Sequence, residues 1–343
     1  MRIISGIQPT GDPHLGNYLG AIRHWVRLQN ELVADQGGVA LYFLADLHAI
    51  SQPYVPAQLA ANTREMVATL VACGIDPDRS IIFNQAQVPA HAELQWLLSG
   101  TARMGWLNRM TQWKDKAGKT GDSLSVALFS YPVLQAADVL LYQATHVPVG
   151  EDQRQHIELV RDIAQKFNND FCPKDRPIFA VPEAIIPKES ARIMSLRDGS
   201  AKMSKSAQSD LSRINLADDA ATIMAKLKKA KTDLEPLPSA AAGLEGRAEA
   251  TNLVGIYAAM AGVTVADVLK DFGGKGFGVF KPALGELLVE KLGPINTRFV
   301  ALREDHAALD AILAKGAIKA RALAAPTLDA AYAALGLVRS AAP

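Results

Sequence analysis

Cysteine is scarce in this sequence: Cys73 and Cys172 are the only two, and neither belongs to a Cys-x-x-Cys pair or a Cys/His cluster. Disulfide frameworks and structural zinc sites need more such side chains at closer spacing. We therefore expect a protein of a reducing, cytoplasmic compartment that carries no structural metal.

Long apolar runs are also missing, and none approaches the roughly eighteen residues that a membrane span requires. Residues 1–13 contain no apolar core of signal-peptide length, so we expect neither export nor insertion into a membrane. Charge of one sign is not in excess, since the formal net charge is +1. Any binding of RNA must then depend on local patches of basic residues.

The two common phosphate-binding motifs, GxGxxG and GxxxxGK[ST], do not occur here. Instead, residues 2–7 predict a short apolar strand, which a turn rich in Gly and Pro joins to a helix that begins at Leu15. Backbone N–H groups at such a junction point towards an anion. His14 and Asn17 lie where side chains reach a triphosphate, although a lone His14 is more typical of a turn or a helix cap.

A second candidate for phosphate binding is the segment Lys202-Met203-Ser204-Lys205-Ser206. Lysine is a compact point charge suited to phosphate, and serine hydroxyls add donors with little bulk. By itself the segment also fits a solvated basic turn. Its pairing with the N-terminal turn favours the functional interpretation.

The two elements together resemble the paired signatures of class I aminoacyl-tRNA synthetases, with the first signature reading HLGN in place of HIGH. Four further segments narrow the resemblance to the tryptophan-specific branch of that family: residues 6–11 (GIQPTG), 131–138 (YPVLQAAD), 147–159 (VPVGEDQRQHIEL) and 191–196 (ARIMSL). The resemblance covers nearly the whole chain. It implies activation of an amino acid by ATP, with Mg²⁺ on the triphosphate, and transfer to tRNA(Trp).

The resemblance also implies roles for individual residues. The catalytic residues are His14, Asn17, Lys202 and Lys205. The ATP-binding residues are Gln8, Pro9, Thr10, Gly16, Asn17, Gly150, Glu151, Asp152, Ile193, Lys202, Met203, Ser204, Lys205, Ser206 and Lys116. For Lys116, which lies in a polar segment (residues 114–123) predicted to be a mobile loop, a solvated loop lysine is an equal alternative.

Recognition of tryptophan depends on one carboxylate. The indole ring has a single polar atom, an N–H group that only donates, so its pocket needs a buried acceptor among apolar walls. Asp138 fits because small and apolar residues flank it on a predicted helix, although a carboxylate on the helix surface is the alternative. The resemblance adds Tyr131 and Gln153 at the ammonium group, Gln8 at the carboxylate, and His48 and Ile4 near the ring. Gln135 departs from the Met of some family members.

The predicted fold is α/β, with a doubly wound parallel (Rossmann-like) catalytic domain in residues 1–207 and an all-α domain in residues 208–343. Strands at residues 39–45 and 80–83 alternate with helices such as 57–72, which indicates a parallel sheet. Beyond residue 206 only helices are predicted, the last three at 281–292, 295–313 and 315–335. The resemblance assigns anticodon recognition to these helices and a homodimer contact to residues 57–111.

Two other functions remain open from the sequence. A tyrosine–tRNA ligase shares the architecture, but the GIQPTG opening speaks against it. A non-catalytic relative that binds tRNA or a nucleotide is expected to have lost His14 or the lysines, and His14, Lys202 and Lys205 are all present.

Overall fold

The computed structural model describes residues 1–33, 37–120, 124–186, 192–205 and 207–339, without the side chains of residues 32–33 and 116–120. Within these ranges, no single helix is long and apolar enough to cross a membrane, and one pair of helices passes that test only jointly, across a bend of 108°.

Within the described ranges, five parallel strands form one sheet in the order β3-β2-β1-β4-β5. The strands are β1 (Arg2–Ile7), β2 (Val39–Leu44), β3 (Ile81–Asn84), β4 (His146–Pro148) and β5 (Glu183–Ile185). Strand order reverses between β1 and β4, and ligands of doubly wound sheets bind beyond the carboxyl ends of the strands at such a point. The structure confirms the predicted parallel sheet; β5 was not predicted.

Helices cover both faces of the sheet and form most of the chain after residue 207. The first helical segment is α-helical at α1 (Leu15–Asn17) and α2 (Arg23–Leu28), with π-helical turns at Tyr18–Ile22 and Gln29–Val33. The others are α3 (Asp46–Ala49), α4 (Pro56–Ala72), α5 (Ala90–Ser99), α6 (Met104–Leu107), α7 (Thr111–Thr120), α8 (Val126–Leu140), α9 (Arg154–Phe171), α10 (Ala220–Lys228), α11 (Ala248–Ala261), α12 (Val265–Phe272), α13 (Phe277–Arg303) and α14 (His306–Ala334).

The two faces of the sheet belong to separate apolar clusters because successive side chains of a strand point to opposite sides. On β2, Leu41 and Phe43 pack with α8 and α9, whereas Tyr42 and Leu44 pack with α2 and α4. A third cluster joins α10 to α13 with Leu15 and Leu19 of the first helical segment. The turn after β1 is therefore held between the sheet and the C-terminal helices.

The last helix, α14, returns to the sheet and packs against β3. A Cβ atom on Gly316 would lie 1.7 Å from the carbonyl oxygen of Ile82, so only glycine permits this approach. Ala317, Ala320 and Ala324 belong to the same apolar cluster as the core of the sheet. Small residues thus bring the helix backbone close to the edge strand.

Two sequence predictions about helices were wrong. The three helices expected over residues 281–335 are two long ones, α13 and α14, because Pro282 and Pro294 lie inside a continuing helix. The polar segment at residues 114–123, expected to be a loop, is helical through Thr120 as part of α7. Residues 121–123 lie outside the described chain.

Candidate active site

The turn after β1 is fixed by His14, which caps α1. The Nδ1 atom of His14 accepts a hydrogen bond from the backbone N–H of Gly16 (3.1 Å), and the Asn17 Oδ1 atom accepts one from the N–H of His14 (3.1 Å). Both side chains of the HLGN signature therefore shape the turn that carries them. Since Nδ1 accepts, a neutral His14 carries its hydrogen on Nε2 and presents that nitrogen as a donor.

Backbone contacts with residues 193–194 hold the lysine segment (residues 202–205) in place. Met194 and Lys202 form an antiparallel bridge, and the Met203 N–H donates to the Ile193 carbonyl (3.0 Å). The Met203 side chain is buried, whereas Lys202 is exposed. Asn252 of α11 donates to the Met194 carbonyl (2.9 Å) and accepts from its N–H (2.9 Å). The C-terminal helices thereby fix the base of this segment.

The turn and the lysine segment meet in space. A Cβ atom on Gly11 would lie 3.3 Å from the Cβ atom of Lys205, and one on Gly16 would lie 3.7 Å from the Cβ atom of Ile193. Burial, with the charges of Lys205, Arg213 and Lys202, lowers the pKa of His14 to about 4. The structure thus brings the predicted residues of both signatures to one location beyond β1.

Burial also lowers the pKa of the Lys205 ammonium to about 8, against the opposing charge of Asp12. A partly desolvated ammonium near a neutral imidazole donor forms an electropositive site. Such a site stabilises negative charge that develops on phosphate oxygens. This is chemistry for phosphoryl or nucleotidyl transfer.

Arg213, which was not among the predicted site residues, lies in a segment that runs beside the HLGN turn. The Leu15 N–H donates to the Ile214 carbonyl (2.8 Å), and His14 forms a bridge with Asn215. The Arg213 guanidinium donates to the carbonyl of Ala207 (3.0 Å) and to Asn215 (3.2 Å). It connects Ala207, just after the lysine segment, with Asn215, which itself bridges to the HLGN turn, and no motif in the sequence indicated that contact.

Asp138 lies in α8 and is only 1% exposed, as the sequence predicted for an acceptor in an apolar helix. Its Oδ2 atom lies 2.7 Å from His48 Nε2, and its Oδ1 atom lies 2.7 Å from His91 Nδ1. Gln85 also donates to Oδ1. Burial alone would raise the pKa of this carboxyl, but His48 and His91 outweigh it and lower the pKa to about 2. The buried carboxylate is therefore ionised at neutral pH.

The side chains Gln85 and His91, together with Tyr142, were not among the predicted site residues. Gln85 follows β3 directly, and His91 is the second residue of α5. Both are fully buried, and the Nε2 atom of His91 lies 2.7 Å from the Tyr142 hydroxyl. A histidine among apolar residues gives no sequence signal of its own, because its partner is distant along the chain.

Tyr131 and His48 lie close together. Their rings meet edge to face with centroids 6.0 Å apart. The Tyr131 hydroxyl also lies 2.7 Å from His156 Nε2 in α9. Burial raises the pKa of Tyr131 to about 12 and, despite the charge of Asp152, lowers the pKa of His156 to about 4. Both groups are neutral at pH 7.

Most of the other predicted residues follow the carboxyl ends of β1 and β4. Ile4 is fully buried on β1, and Gln8 and Thr10 are exposed in the following turn with Pro9 buried between them. Gly150 precedes a 3₁₀ turn, Glu151–Gln153, in which Gln153 donates to Asp152 (3.1 Å). Ser204 is partly exposed, whereas Ser206 and the Lys116 side chain lie outside the described residues.

Two further features bear on ligand binding. A cavity of about 340 Å³ between α4 and α14 is lined by Asp46, Arg64, Asn84 and Asp310 among others, and by none of the predicted substrate residues. In the part of the chain that the structure describes, no group of three or more His, Cys, Asp or Glu side chains could hold a metal ion.

Known proteins resemble this chain over most of its length. The family model "tRNA synthetases class I (W and Y)" matches residues 1–291. The tryptophan–tRNA ligase of Caulobacter vibrioides is 59% identical over 95% of this chain and 93% of its own length. That of Gloeobacter violaceus is 47% identical over 98% of this chain and 96% of its own.

Solved structures give the same result. A tryptophanyl-tRNA synthetase from Campylobacter jejuni, complexed with ADP and tryptophan, superposes with a TM-score of 0.81 at 35% identity, over 98% of this chain and 100% of that one. A tyrosyl-tRNA synthetase from Aeropyrum pernix (TM-score 0.67, 18% identity, 92% and 89% coverage) shares the fold. The chain belongs to the class I tRNA synthetases for tryptophan and tyrosine, and within that family to the tryptophan–tRNA ligases.

Proposed function

We infer that this chain activates L-tryptophan with ATP and transfers the tryptophanyl group to the 3′ end of tRNA(Trp). In the first step the substrate's carboxylate attacks the α-phosphorus of ATP, and pyrophosphate leaves. In the second step a ribose hydroxyl of the tRNA, the 2′-OH by resemblance to class I, attacks the carbonyl carbon of the adenylate, and AMP leaves. The observation that carries this inference is the meeting of His14, Gly11 and Lys205 beyond the carboxyl end of β1.

The protein's part in the first step is alignment and charge stabilisation, because the substrate supplies its own nucleophile. We propose that Lys205 and Lys202, with the Nε2–H of His14 and with Asn17, contact the phosphates. Mg²⁺ arrives with the nucleotide as part of the substrate. The remaining ATP contacts come from the turn after β1, from residues 150–152 after β4, from Ile193 and from the lysine segment, with Lys116 and Ser206 as further candidates.

The tryptophan side of the site is centred on Asp138. The ionised carboxylate accepts the indole N–H, with His48 and Ile4 beside the ring. Tyr131 and Gln153 bind the substrate ammonium group, and Gln8 binds its carboxylate. Asp138 is buried and ionised, which supports this assignment because an acceptor-only group rejects rings that offer no donor there.

We also propose separate roles for the two parts of the chain. Residues 1–207 form the catalytic domain, and residues 208–343 include the helices that recognise the anticodon. The enzyme acts in the cytoplasm as a homodimer. Large apolar side chains that are exposed in and near residues 57–111 support the dimer: Trp96 (76% exposed), Met104 (66%) and Val126 (81%). We expect the change Trp96→Glu to yield a monomer in sedimentation velocity.

Exchange of labelled pyrophosphate into ATP tests the catalytic proposal directly. Tryptophan and tyrosine are supplied in parallel to the same enzyme. We expect exchange that depends on tryptophan. Exchange with tyrosine alone would instead identify a tyrosine–tRNA ligase, and no exchange with either amino acid would identify a non-catalytic relative.

A further inference from the structure

The hydrogen bonds to Asp138 are unequally divided between its two oxygens. Oδ1 accepts from Gln85 Nε2 and lies 2.7 Å from His91 Nδ1, whereas Oδ2 is bonded to His48 Nε2. A carboxylate oxygen has two lone pairs. Among the described residues, Oδ1 is therefore filled, and Oδ2 keeps one acceptor position.

The two oxygens also face different surroundings. Gln85 and His91 are both 0% exposed, so Oδ1 is directed into the core. His48 lies on the other side, and its ring meets the edge of Tyr131, a proposed contact of the substrate ammonium group. The free lone pair of Oδ2 is thus on the side where the substrate is expected.

His91 is held at both ends of its ring. Because an ionised Asp138 only accepts, Nδ1 must carry the hydrogen that bonds to Oδ1, and Nε2 lies 2.7 Å from the Tyr142 hydroxyl. Burial and the charge of Asp138 raise the pKa of that hydroxyl, so Tyr142 stays neutral. The ring cannot rotate without breaking a buried hydrogen bond.

We propose that His91 and Gln85 are positioning residues of the tryptophan pocket: they fill Oδ1 of Asp138 and leave one acceptor position, on Oδ2, for the indole N–H. The inference rests on the proposed role of Asp138. It explains how a carboxylate with four lone pairs accepts from a ligand in one direction only. Because one acceptor position is open, the pocket selects a ligand by where its ring N–H lies as well as by whether it has one.

A matched pair of variants tests the role of His91. In His91→Asn the amide nitrogen replaces Nδ1 and keeps the bond to Asp138, whereas in His91→Gln the amide replaces Nε2 and keeps only the contact with Tyr142. Both variants lose the ring, so a purely structural role would affect them equally. The substrates are tryptophan and an analogue in which sulfur replaces the indole N–H.

The readout is the KM for each substrate in pyrophosphate exchange between about pH 5 and pH 8. We expect His91→Gln to raise the KM for tryptophan by about tenfold or more. The increase should grow on acidification, because Asp138 takes up a proton more readily without its partner, and a protonated carboxyl is a weaker acceptor for the indole N–H than a carboxylate. In His91→Asn, as in the wild type, the KM for tryptophan should not change with pH over this range. The KM for the analogue should not rise at acidic pH in any of the enzymes.

The groups that face Asp138 from neighbouring elements are His48 of α3, His91 of α5 and Tyr142, and His48 in turn lies near His156 of α9. A rise in KM at acidic pH that was caused by His48 or His156 would appear in both variants.

The proposal would be overturned if the KM of His91→Asn and of His91→Gln depended on pH in the same way. It would also be overturned if the KM for the sulfur analogue rose at acidic pH. A third result would also overturn it. If Asp138→Leu still distinguished tryptophan from the sulfur analogue and Gln85→Met did not, Gln85 Oε1 would be the acceptor of the indole N–H. Failure of the proposed function itself looks different, because the wild type would show no exchange with tryptophan.

Discussion

A Cβ atom on Gly11 would lie only 3.3 Å from the Cβ atom of Lys205, although the two residues belong to opposite ends of the predicted catalytic domain. The contact exists because the segment at residues 213–216 hydrogen-bonds to the turn after β1 and Asn252 holds the base of the lysine segment. Gly11 also has a φ of +61°, which favours glycine. A side chain at this position would press on Lys205 and strain the turn.

Changing Lys205 to Ala should depress formation of the adenylate far more than it weakens tryptophan binding. The ammonium group stabilises charge that builds on the phosphates in the transition state, and it is not needed to hold the amino acid. Single-turnover kinetics and equilibrium binding of tryptophan separate the two effects. Lys228→Ala, which removes an exposed lysine of α10, is the control; equal loss of both activities in Lys205→Ala would contradict the role.

The rate should also depend on pH through Lys205, whose pKa is about 8. The free enzyme loses the positive charge as the pH rises through that value, so kcat/KM for ATP should fall on the alkaline side. In Lys205→Arg the limb should disappear, because a guanidinium stays protonated. An alkaline limb that is unchanged in Lys205→Arg would assign it to another group.

Replacing Asp138 by Ala should weaken the binding of tryptophan selectively and leave the KM for ATP nearly unchanged. The change removes the acceptor and leaves three buried donors, on His48, His91 and Gln85, without their partner. We therefore also expect a loss of stability, since each unsatisfied buried group costs about 1–3 kcal/mol. Exchange kinetics and urea unfolding measure the two consequences, and unaltered discrimination against tyrosine would remove Asp138 from the pocket.

The free energy of unfolding should decrease as the pH falls from 6.5 towards 4. His14 and His156 have pKa values lowered from 6.5 to about 4, so in this range the unfolded chain binds protons that the folded protein does not. The loss amounts to at most roughly 3 kcal/mol for each histidine. His156→Gln should make the dependence shallower, whereas His306→Gln, at an exposed position, should not change it.

Lys226 is a buried cation whose removal should destabilise the C-terminal helices. Its Nζ atom lies 2.6 Å from carboxylate oxygens of Asp210 and Asp218, and its side chain is 3% exposed. Lys226→Met would leave the nearly buried Asp218 unpaired, at a cost of about 3–5 kcal/mol. The double change Lys226→Met with Asp218→Asn should recover part of that loss in chemical denaturation, and additive losses would exclude a direct coupling.

Gly316→Ala should destabilise the protein strongly, because the added methyl group collides with the carbonyl of Ile82. Gly255→Ala is the matched change in α11, where the added Cβ has no atom within 4 Å apart from its chain neighbours and the backbone of its own helix. That variant should be neutral or more stable by about 0.5–1 kcal/mol, the helix preference for alanine over glycine. Thermal unfolding of both proteins checks the contrast.

Local patterns in the sequence predicted the elements that depend on local chemistry. The apolar run at residues 39–45 predicted β2, and the amphipathic spacing after Leu15 predicted the first helical segment, because each signal is complete within a short window. The continuation of α13 through Pro282 and Pro294 was missed, since packing of the helix against its neighbours outweighs the local preference against proline.

The site was predicted only where a motif marked it. His14, Lys205 and Asp138 stand in recognisable segments, and the structure brings His14 and Lys205 together. His91, Gln85 and Arg213 stand in no such segment, because their contacts are made with residues far along the chain. A hydrogen bond between distant elements leaves no periodic trace in either of them, so only the folded chain reveals it.

The close approach of α14 to β3 has a consequence for synthesis of the chain. The strand leaves the ribosome early, but the helix that covers it is made after residue 305. Until then, one edge of the nascent sheet stays open to solvent and to other chains, and exposed strand edges invite aggregation. Chaperones that act during synthesis therefore meet a chain whose sheet is covered only after the helix at residues 306–334 has formed.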